Sequence, residues 1–320
     1  ALKSAVCIAA GGSCSDEYSF YNYTLSKGAG VIYDVDENTK TVYFVTCFHV
    51  VDGYNKNEIW VLLPSKLVPI KAKLVSYSSH YDIAVLKYTY SESSKDLFLD
   101  GCIEISTSDS TYLSLGEKVF AVGNPLSNGF SITEGTISRL HTLMTVESNS
   151  FKTREIQISA AINKGNSGGG LFNAEGKFIG LVNSKITSNG VEGTAYAIPG
   201  NLVMGVAGSI IRNNTGTTKH NGYASYIELG ATLEHNENMG VTFEEIEYAG
   251  KKVSIMKYYV VVDDIDGGIA VGKLGSKDLI ETIEFSMYDR GEIVTKKVEM
   301  FNRFVFEDYC YSIVENSQIT

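Results

Sequence analysis

A serine inside a run of glycines is the feature of this sequence that most directly suggests chemistry. Ser167 lies in the run Gly-Asn-Ser-Gly-Gly-Gly that spans residues 165–170. Glycines allow backbone N–H groups to crowd around a hydroxyl and to point at the carbonyl that it attacks. Because a serine hydroxyl is a weak nucleophile by itself, acyl transfer also needs a general base and a group that orients the base.

Two upstream segments offer these groups. Residues 41–51 (TVYFVTCFHVV) are rich in β-branched and aromatic residues, which predicts a strand, and they carry His49 near their end. Residues 80–88 (HYDIAVLKY) place Asp82 at the head of a second apolar strand. The chain order His49, Asp82, Ser167 is that of the chymotrypsin triad and differs from the orders in α/β-hydrolases and subtilisin.

The spacing of Gly165, Ser167 and Gly169 also matches the nucleophile elbow of α/β-hydrolases. That elbow requires a helix directly after the serine. Here the glycines are followed by Leu-Phe-Asn, a turn at residues 174–176 and a new strand over residues 178–182. We therefore predict a hairpin after Ser167, and this excludes the elbow.

Residues 28–200 as a whole resemble the trypsin-like protease domain of the HtrA (DegP) family. Besides the histidine and aspartate segments, the glycine-bearing first strand, the central strands, the serine loop and the closing strand carry the resemblance. These segments are residues 27–33 (KGAGVIY), 46–53 (TCFHVVDG), 81–86 (YDIAVL), 123–126 (GNPL), 133–138 (TEGTIS), 156–170 and 195–199 (AYAIP).

The resemblance implies a mainly β fold with two six-stranded antiparallel barrels of the chymotrypsin type. It implies a serine endopeptidase that hydrolyses unfolded or misfolded proteins in protein quality control. His49 would be the general base, Asp82 its orienting carboxylate and Ser167 the nucleophile. The backbone N–H groups of Gly165 and Ser167 would form the oxyanion hole.

The primary specificity pocket is predicted from residues just before Ser167, including Ile162, and from the strand that carries Asn183, Ser184 and Lys185. In HtrA-like enzymes this pocket takes small to medium apolar side chains such as valine. An inward-facing Lys185 would instead admit acidic side chains. Because strand residues alternate between faces, a shift of one residue in register reverses the answer.

Composition sets the wider limits. The chain has 320 residues, which suits two domains, and its 20 Tyr, 14 Phe and 31 Gly favour an all-β body with tight turns. A formal net charge of -10 argues against nucleic acid or an anionic membrane as a general partner. We therefore expect protein or peptide substrates.

Four parts are predicted along the chain. Residues 1–27 are a lead-in whose aromatic cluster (18–23) is similar to the HtrA segment that holds trimers together; alternatively, these rings pack on their own barrel. Residues 28–212 are the protease domain, which an amphipathic helix from Pro199-Gly200-Asn201 onward closes. Residues 213–224 are a linker, and residues 225–320 form a second domain.

This second domain resembles a PDZ domain, with an unrelated α+β module as the alternative. Residues 226–233 resemble the peptide-binding edge, so Glu228, Leu229, Gly230 and Ala231 are predicted to bind peptide C-termini. Residues 260–265 and 278–283 resemble the PDZ core, and apolar residues from 301 to 313 predict a helix beside the groove. The sequence stops before the expected closing strands, which indicates truncation or rearrangement.

Five cysteines, at positions 7, 14, 47, 102 and 310, lack metal-type spacing, so we predict neither a metal nor a cofactor. Cys7 and Cys14 could pair in an oxidising compartment, and Cys47 is predicted to be a buried filler. We expect an extracytoplasmic location, in the cell envelope or outside the cell, with any export signal or anchor missing from this chain.

Two alternatives to a quality-control protease remain open at this stage. One is a protein-binding, chaperone-like module with latent protease activity. The other is an exported protease of the glutamyl-endopeptidase kind, against which the PDZ-like second domain argues.

Overall fold

The structure is a computed structural model. The residues that it describes are 1–64, 68–92, 103–124, 129–145, 152–183, 194–214, 224, 231–235, 239, 241–265, 279–289, 292–301 and 305–314. Within this part of the chain, no helix has the length and apolar character needed to cross a membrane.

Six antiparallel strands close into a first barrel in the order β1-β2-β3-β6-β5-β4. Pairing of β1 with β4 completes the ring. The strands are β1 (Ala5–Gly12), β2 (Thr24–Asp36), β3 (Thr41–Cys47), β4 (Ile59–Leu62), β5 (Ile70–Ser78) and β6 (Ile83–Thr89). Between β2 and β3 the chain turns where Asp36 accepts hydrogen bonds from the backbone N–H groups of Asn38 and Thr39.

A second barrel follows, closed in the order β10-β11-β12-β9-β8-β7. Its strands are β7 (Lys118–Gly123), β8 (Ser131–Thr145), β9 (Lys152–Ile158), β10 (Gly170–Asn173), β11 (Phe178–Asn183) and β12 (Ala195–Pro199). Two closed six-stranded antiparallel barrels confirm the predicted chymotrypsin-like architecture. The hairpin of β10 and β11 directly after Ser167 confirms that no helix follows the serine.

The lead-in prediction for residues 1–27 needs correction. Ala5–Gly12 is a barrel strand, and its residues from Ala5 to Ala10 are fully buried because β2 and β4 flank them. The first barrel therefore begins at Ala5 instead of residue 28. Sequence reasoning left this strand in the lead-in because the resemblance to HtrA proteases covers only residues 28–200.

The aromatic cluster after β1 divides between core and surface. It forms helix α1 (Glu17–Asn22), which Asp16 caps by accepting a hydrogen bond from the Ser19 backbone N–H at 2.7 Å. Phe20 is fully buried against the barrel, whereas Tyr18 and Tyr23 are 66% and 61% exposed. Tyr21 is half-buried beside Phe20, so two rings pack inward and two remain available on the surface.

The helix predicted after the second barrel is confirmed as α2 (Gly200–Asn213). Its apolar face is buried in the same hydrophobic core as the first barrel. The residues on this face are Leu202, Val203, Val206, Ala207 and Ile210. The helix thus connects the end of the second barrel to the packing of the first.

The described residues of the C-terminal third form three small sheets. Strands β13, β16 and β17 form one sheet, β14 and β15 a hairpin, and β18 and β19 a second hairpin. Their bounds are β13 (Ala231–His235), β14 (Val241–Tyr248), β15 (Lys251–Tyr258), β16 (Val260–Ile265), β17 (Leu279–Ile280), β18 (Thr282–Asp289) and β19 (Glu292–Glu299). Many of their apolar residues share one core with the first barrel and α2.

The helix predicted between residues 301 and 313 is wrong. Residues 305–312 form consecutive turns instead. Nearly every residue of this segment is buried, and not only those at helical spacing. Phe306, Asp308 and Cys310 are buried as well as Val305 and Tyr309. The apolar spacing therefore reflected burial against several elements and did not mark one face of a helix.

Most of the predicted linker, residues 213–224, and most of the predicted peptide-binding edge lie outside the described residues, and Asn213 belongs to α2 instead of the linker. These are residues 215–223 together with Glu228, Leu229 and Gly230. Ala231 begins β13 and pairs with Ile265 of β16. The PDZ-like character of this unit stays a prediction.

Candidate active site

His49 and Asp82 meet at one end of the first barrel. Strand β3 ends at Cys47, and a short 3-10 turn over Phe48–Val50 then carries His49. Nδ1 of His49 lies 2.6 Å from Oδ2 of Asp82, and the backbone N–H of His49 donates to Oδ1 at 2.8 Å. Both carboxylate oxygens are thus used, which fixes the plane of the carboxylate and the orientation of the imidazole.

The backbone reinforces this pairing. The Asp82 carbonyl accepts a hydrogen bond from the Phe48 N–H at 2.9 Å. Asp82 itself has φ of 56°, in the left-handed region that a non-glycine residue adopts only when its surroundings hold it there. Asp82 is buried, and the His49 side chain is about one-fifth exposed, so the ring remains accessible from one side.

Backbone hydrogen bonds hold the glycine loop against the first barrel. The Ser167 carbonyl accepts a bond from the Ala29 N–H of β2, and the Gly168 N–H donates to the Val182 carbonyl of β11, both at 2.8 Å. A Cβ added to Gly168 would lie 2.2 Å from Oγ1 of Thr46. The loop therefore lies against Thr46 and Cys47 at the end of β3, directly before the turn that carries His49.

Gly165, the predicted oxyanion donor, has a backbone conformation that favours glycine. Its φ is 99°, which a residue with a side chain rarely adopts. Its carbonyl accepts a hydrogen bond from the Asn124 N–H at 3.4 Å, and the Asn166 N–H donates to the Asn163 carbonyl at 3.0 Å. These two bonds orient the peptide group that joins Gly165 to Asn166.

A buried acid that sequence reasoning missed lies beside the pair. Glu155 of β9 is almost fully buried, and burial together with the charge of Asp82 raises the pKa of Glu155 to about 8. Thr153 and Asn183 hydrogen-bond to its carboxyl group. Glu155 is therefore largely a neutral acid at pH 7. The signal that could have found it is an Arg-Glu pair inside an otherwise barrel-forming strand.

Cys47 fills the space between the two barrels, as predicted for a buried filler. Its thiol donates to the Val182 carbonyl at 3.4 Å. Burial, together with the charges of Asp82 and Glu155, raises the pKa of this thiol well above its usual value. It is consequently a poor nucleophile at neutral pH.

The predicted specificity residues are only partly visible. Ile162 is half-buried against the core of the second barrel. Asn183 ends β11, is buried, pairs with Tyr196 of β12, and reaches Glu155. Ser184 and Lys185 lie outside the described residues, so the direction of the Lys185 side chain stays a prediction.

His80 and His141, both in the described part of the chain, have other surroundings than Asp82. The His80 ring lies edge-on to the ring of Tyr81 at 4.3 Å between centroids, and burial lowers the pKa of His80. His141 lies with its Nδ1 2.7 Å from the Arg154 guanidinium. The structure thus places His49 on Asp82, as the strand context predicted.

Ligand atoms of Cys47, His49 and Asp82 lie within 4.8 Å of one another, which is close enough to suggest a metal site. These atoms are already engaged in the hydrogen bonds described above. The described cysteines, including Cys7 and Cys14, are free thiols, so the suggested Cys7–Cys14 pairing is not present. Cys7 points instead to Tyr21, whose hydroxyl lies 3.9 Å from the sulfur, and Cys14 to the Asp16 carbonyl.

Comparison with known proteins agrees with the geometry. Residues 28–181 match the family model of the trypsin-like peptidase domain. A "Serine protease Do-like HtrA" of Lactococcus lactis subsp. lactis strain IL1403 is 38% identical over 191 residues, which cover 57% of this chain and 44% of that protein. Residues 28–181 are thus similar to a trypsin-like peptidase domain, and the chain is similar to a serine protease of the HtrA type.

A second match covers more of the chain at lower identity. A "Serine protease HtrA-like" of Staphylococcus aureus strain MRSA252 is 34% identical over 257 residues, which cover 78% of this chain and 30% of that protein. The chain spans less than half the length of these curated relatives.

Proposed function

We propose that this chain is a serine endopeptidase in which His49, Asp82 and Ser167 form the catalytic triad. The observation that carries the proposal is the 2.6 Å contact between Nδ1 of His49 and Asp82, at the point where the glycine loop of Ser167 lies on the end of β3. The match of residues 28–181 to the trypsin-like peptidase domain supports it.

In this mechanism the Ser167 hydroxyl attacks a peptide carbonyl while Nε2 of His49 takes its proton. Asp82 holds the other ring nitrogen, which fixes the tautomer and stabilises the imidazolium. His49 then gives the proton to the departing amine, and water hydrolyses the acyl-serine ester by the same route. N–H groups of Gly165 and Ser167 bind the oxyanion, and loss of one such donor costs about 3–4 kcal/mol in barrier.

The direct test is casein hydrolysis, together with labelling by a fluorophosphonate probe. Ser167→Ala should remove labelling and lower kcat by about 10⁵–10⁶-fold. Ser76→Ala, on β5 of the first barrel, is the matched control and should behave like the wild-type protein. If wild-type protein and Ser167→Ala were equally inert with casein and with activating peptides, the chain would be a binding module instead.

The quality-control role is a further part of the proposal, since both relatives are named as HtrA-type serine proteases. An enzyme of this role should cleave a reduced, unfolded protein much faster than the same protein in its native form. Equal rates on both forms would favour a protease that recognises a residue type. A cleavage-site profile would then show whether acidic residues are preferred, as in glutamyl endopeptidases.

We also propose that the C-terminal unit binds peptide C-termini by strand addition at residues 228–231. In support, β13 begins at Ala231 and is the edge strand of its three-stranded sheet as far as the structure describes it. Fluorescence anisotropy with a peptide that ends in a free carboxylate should show binding. The same peptide with an amidated end should bind much more weakly.

Assembly into homotrimers through the N-terminal aromatic segment is proposed on similar grounds. Tyr18 and Tyr23 are largely exposed and lie edge-to-face, 5.8 Å apart, and Leu25 is exposed as well. Sedimentation equilibrium should give a trimer for the wild-type protein and a monomer for the Tyr18→Ser/Tyr23→Ser variant. An unchanged mass would place the interface elsewhere.

An extracytoplasmic location completes the proposal, on the resemblance to HtrA proteases alone. Fractionation of cells that express the full-length gene product at its native level tests this. Recovery with the cytoplasmic fraction would overturn it.

A further inference from the structure

A C-terminal segment of turns lies against both barrels close to the catalytic pair. This docking segment comprises Val305–Ile313. Its Asp308 forms an ion pair with Arg154 of β9, and both side chains are at most 3% exposed. Asp308 also accepts a hydrogen bond from Oγ1 of Thr111 at 3.3 Å. A charge pair buried this deeply holds its two elements in a defined arrangement, because either charge alone would be unpaired.

The same segment contacts the residue before Asp82. The hydroxyl of Tyr81 donates to Oε1 of Glu307 at 3.1 Å. The Tyr81 ring also packs edge-to-face on Tyr311, with centroids 5.6 Å apart. Burial and the charge of Glu307 raise the pKa of Tyr81, so its phenol stays protonated and remains a donor.

Two pairs of consecutive residues therefore connect the docking segment to the catalytic pair. In each pair one residue contacts the segment, and its neighbour lies at the site. Tyr81 contacts Glu307 while Asp82 bonds His49. Arg154 contacts Asp308 while Glu155, on the opposite face of β9, lies close enough to Asp82 for their charges to interact.

The backbone conformation of Asp82 depends on contacts on both sides of the residue. Its left-handed φ of 56° is unfavourable for an aspartate and persists only while neighbouring contacts enforce it. On one side the enforcing contacts are the bonds to Phe48 and His49. On the other side they include the contact of Tyr81 with the docking segment.

We infer that the docking segment Val305–Ile313 is a positioning element for the His49–Asp82 pair and acts through Tyr81 and Arg154. When the segment is docked, Asp82 is held in the conformation that presents both carboxylate oxygens to His49. When it leaves, Tyr81 loses its acceptor and its ring partner, and the left-handed turn relaxes. The catalytic part of this inference rests on the proposed serine protease function.

The test uses the full chain and three variants that keep the buried charge pair intact. These are Tyr81→Phe, Glu307→Ala and the double variant. Tyr81→Phe keeps the ring contact and removes only the donor, so it should fold. Lys251→Met is the matched control, because Lys251 of β15 joins the same C-terminal unit to Glu175, in the turn between β10 and β11, and not to the docking segment or to residues beside the triad.

Three quantities are measured for each protein. Fluorophosphonate titration gives the fraction of active sites, so that kcat can be expressed per site and compared with KM. The pH dependence of kcat/KM gives the midpoint of its acid limb. Proton NMR follows the downfield resonance of the His49 ring N–H that faces Asp82, assigned by its loss in Asp82→Asn; this readout does not require activity.

Tyr81→Phe and Glu307→Ala should each lower kcat per site by about 10-fold with KM unchanged, because small misplacements of a catalytic group are costly. The acid-limb midpoint should fall, since a misplaced carboxylate stabilises the imidazolium less. The double variant should match the single variants, and Lys251→Met should match the wild-type protein. The downfield resonance should broaden or shift in the first three variants only.

The inference is overturned if these variants unfold more easily but keep the wild-type kcat per site, acid-limb midpoint and NMR resonance. The docking segment would then be merely structural. If the wild-type protein shows neither hydrolysis nor labelling, the proposed function fails. In that case, the NMR comparison still decides whether the segment positions the pair.

Discussion

The first barrel positions His49 and Asp82 through side-chain hydrogen bonds, whereas the second barrel positions Ser167 through backbone bonds and the absence of side chains. Both oxygens of Asp82 are bonded to His49. In the glycine loop, the N–H of Gly168 and the carbonyl of Gly169 both bond Val182. One half of the site thus depends on a charge, and the other half on having no Cβ.

The difference predicts how each half fails. Removing a charge from the first half should leave the fold intact and abolish the orientation of the base. Adding one methyl group to the second half should disturb the packing of the two barrels before it affects chemistry. Kinetic and stability measurements should therefore separate the two halves.

The largest effect is expected for Asp82→Asn, which keeps the shape and removes the charge. An amide in this position favours the wrong tautomer of His49, and kcat should fall by about 10⁴-fold with little change in folding stability. Peptide hydrolysis and urea unfolding measure the two quantities. Asp52→Asn, an exposed carboxylate three residues after His49, is the control. A fall of less than 10-fold would mean that Asp82 does not orient the base.

Gly168→Ala tests the half made of backbone. Its Cβ would lie 2.4 Å from the Ala29 carbonyl oxygen and 2.8 Å from the Cys47 nitrogen, and φ is 80°. We expect a loss of about 3–5 kcal/mol in the free energy of unfolding. Gly53→Ala has nearly the same φ, 78°, with nothing within 4 Å of the added Cβ, and should cost only about 1–2 kcal/mol. Equal losses in urea unfolding would show that packing of the loop is unimportant.

Glu155→Gln tests how the buried acid near the first half of the site affects the pH dependence of folding stability. The pKa of Glu155 is raised to about 8 in the folded protein from an ordinary value of 4.5, so the folded state binds the extra proton between these values. Wild-type stability should consequently fall as pH rises from about 4.5 to about 8. The glutamine variant lacks this dependence and should gain roughly 2–4 kcal/mol relative to the wild type between pH 4.5 and pH 8.5.

Urea unfolding at these two pH values measures the effect. Glu134→Gln, an exposed glutamate on β8 of the same barrel, is the control and should follow the wild-type pH dependence. If Glu155→Gln also parallels the wild type, Glu155 is ionised at neutral pH and interacts with Asp82 in a different way.

The smallest effect is expected for Cys47→Ala, at the junction of the two halves. The variant loses a buried sulfur and its weak bond to the Val182 carbonyl, which should cost about 1–2 kcal/mol in unfolding free energy. Activity should stay within about twofold of wild type, because the raised pKa of this thiol makes it a poor nucleophile. A loss of more than 100-fold in kcat would give Cys47 a direct part in the reaction.

Secondary structure was predicted from the sequence more accurately in the barrels than in the C-terminal unit. Strand-like segments that end in His49 or begin after Asp82 gave the right elements, because barrel strands in this region are short, regular and rich in β-branched residues. The turn at residues 305–312 shows the opposite case. There, burial from several directions imitated a helical period.

Residue patterns by themselves determined the triad candidates, the hairpin after Ser167 and helix α2, because each depends on local order or spacing. Only the tertiary structure placed Ala5–Gly12 in the first barrel, left Glu155 protonated beside Asp82, and brought Glu307 to Tyr81 across 226 residues. Such features arise from contacts between distant segments and from the loss of water around charged groups. Neither effect can be predicted from the residues that adjoin a position along the chain.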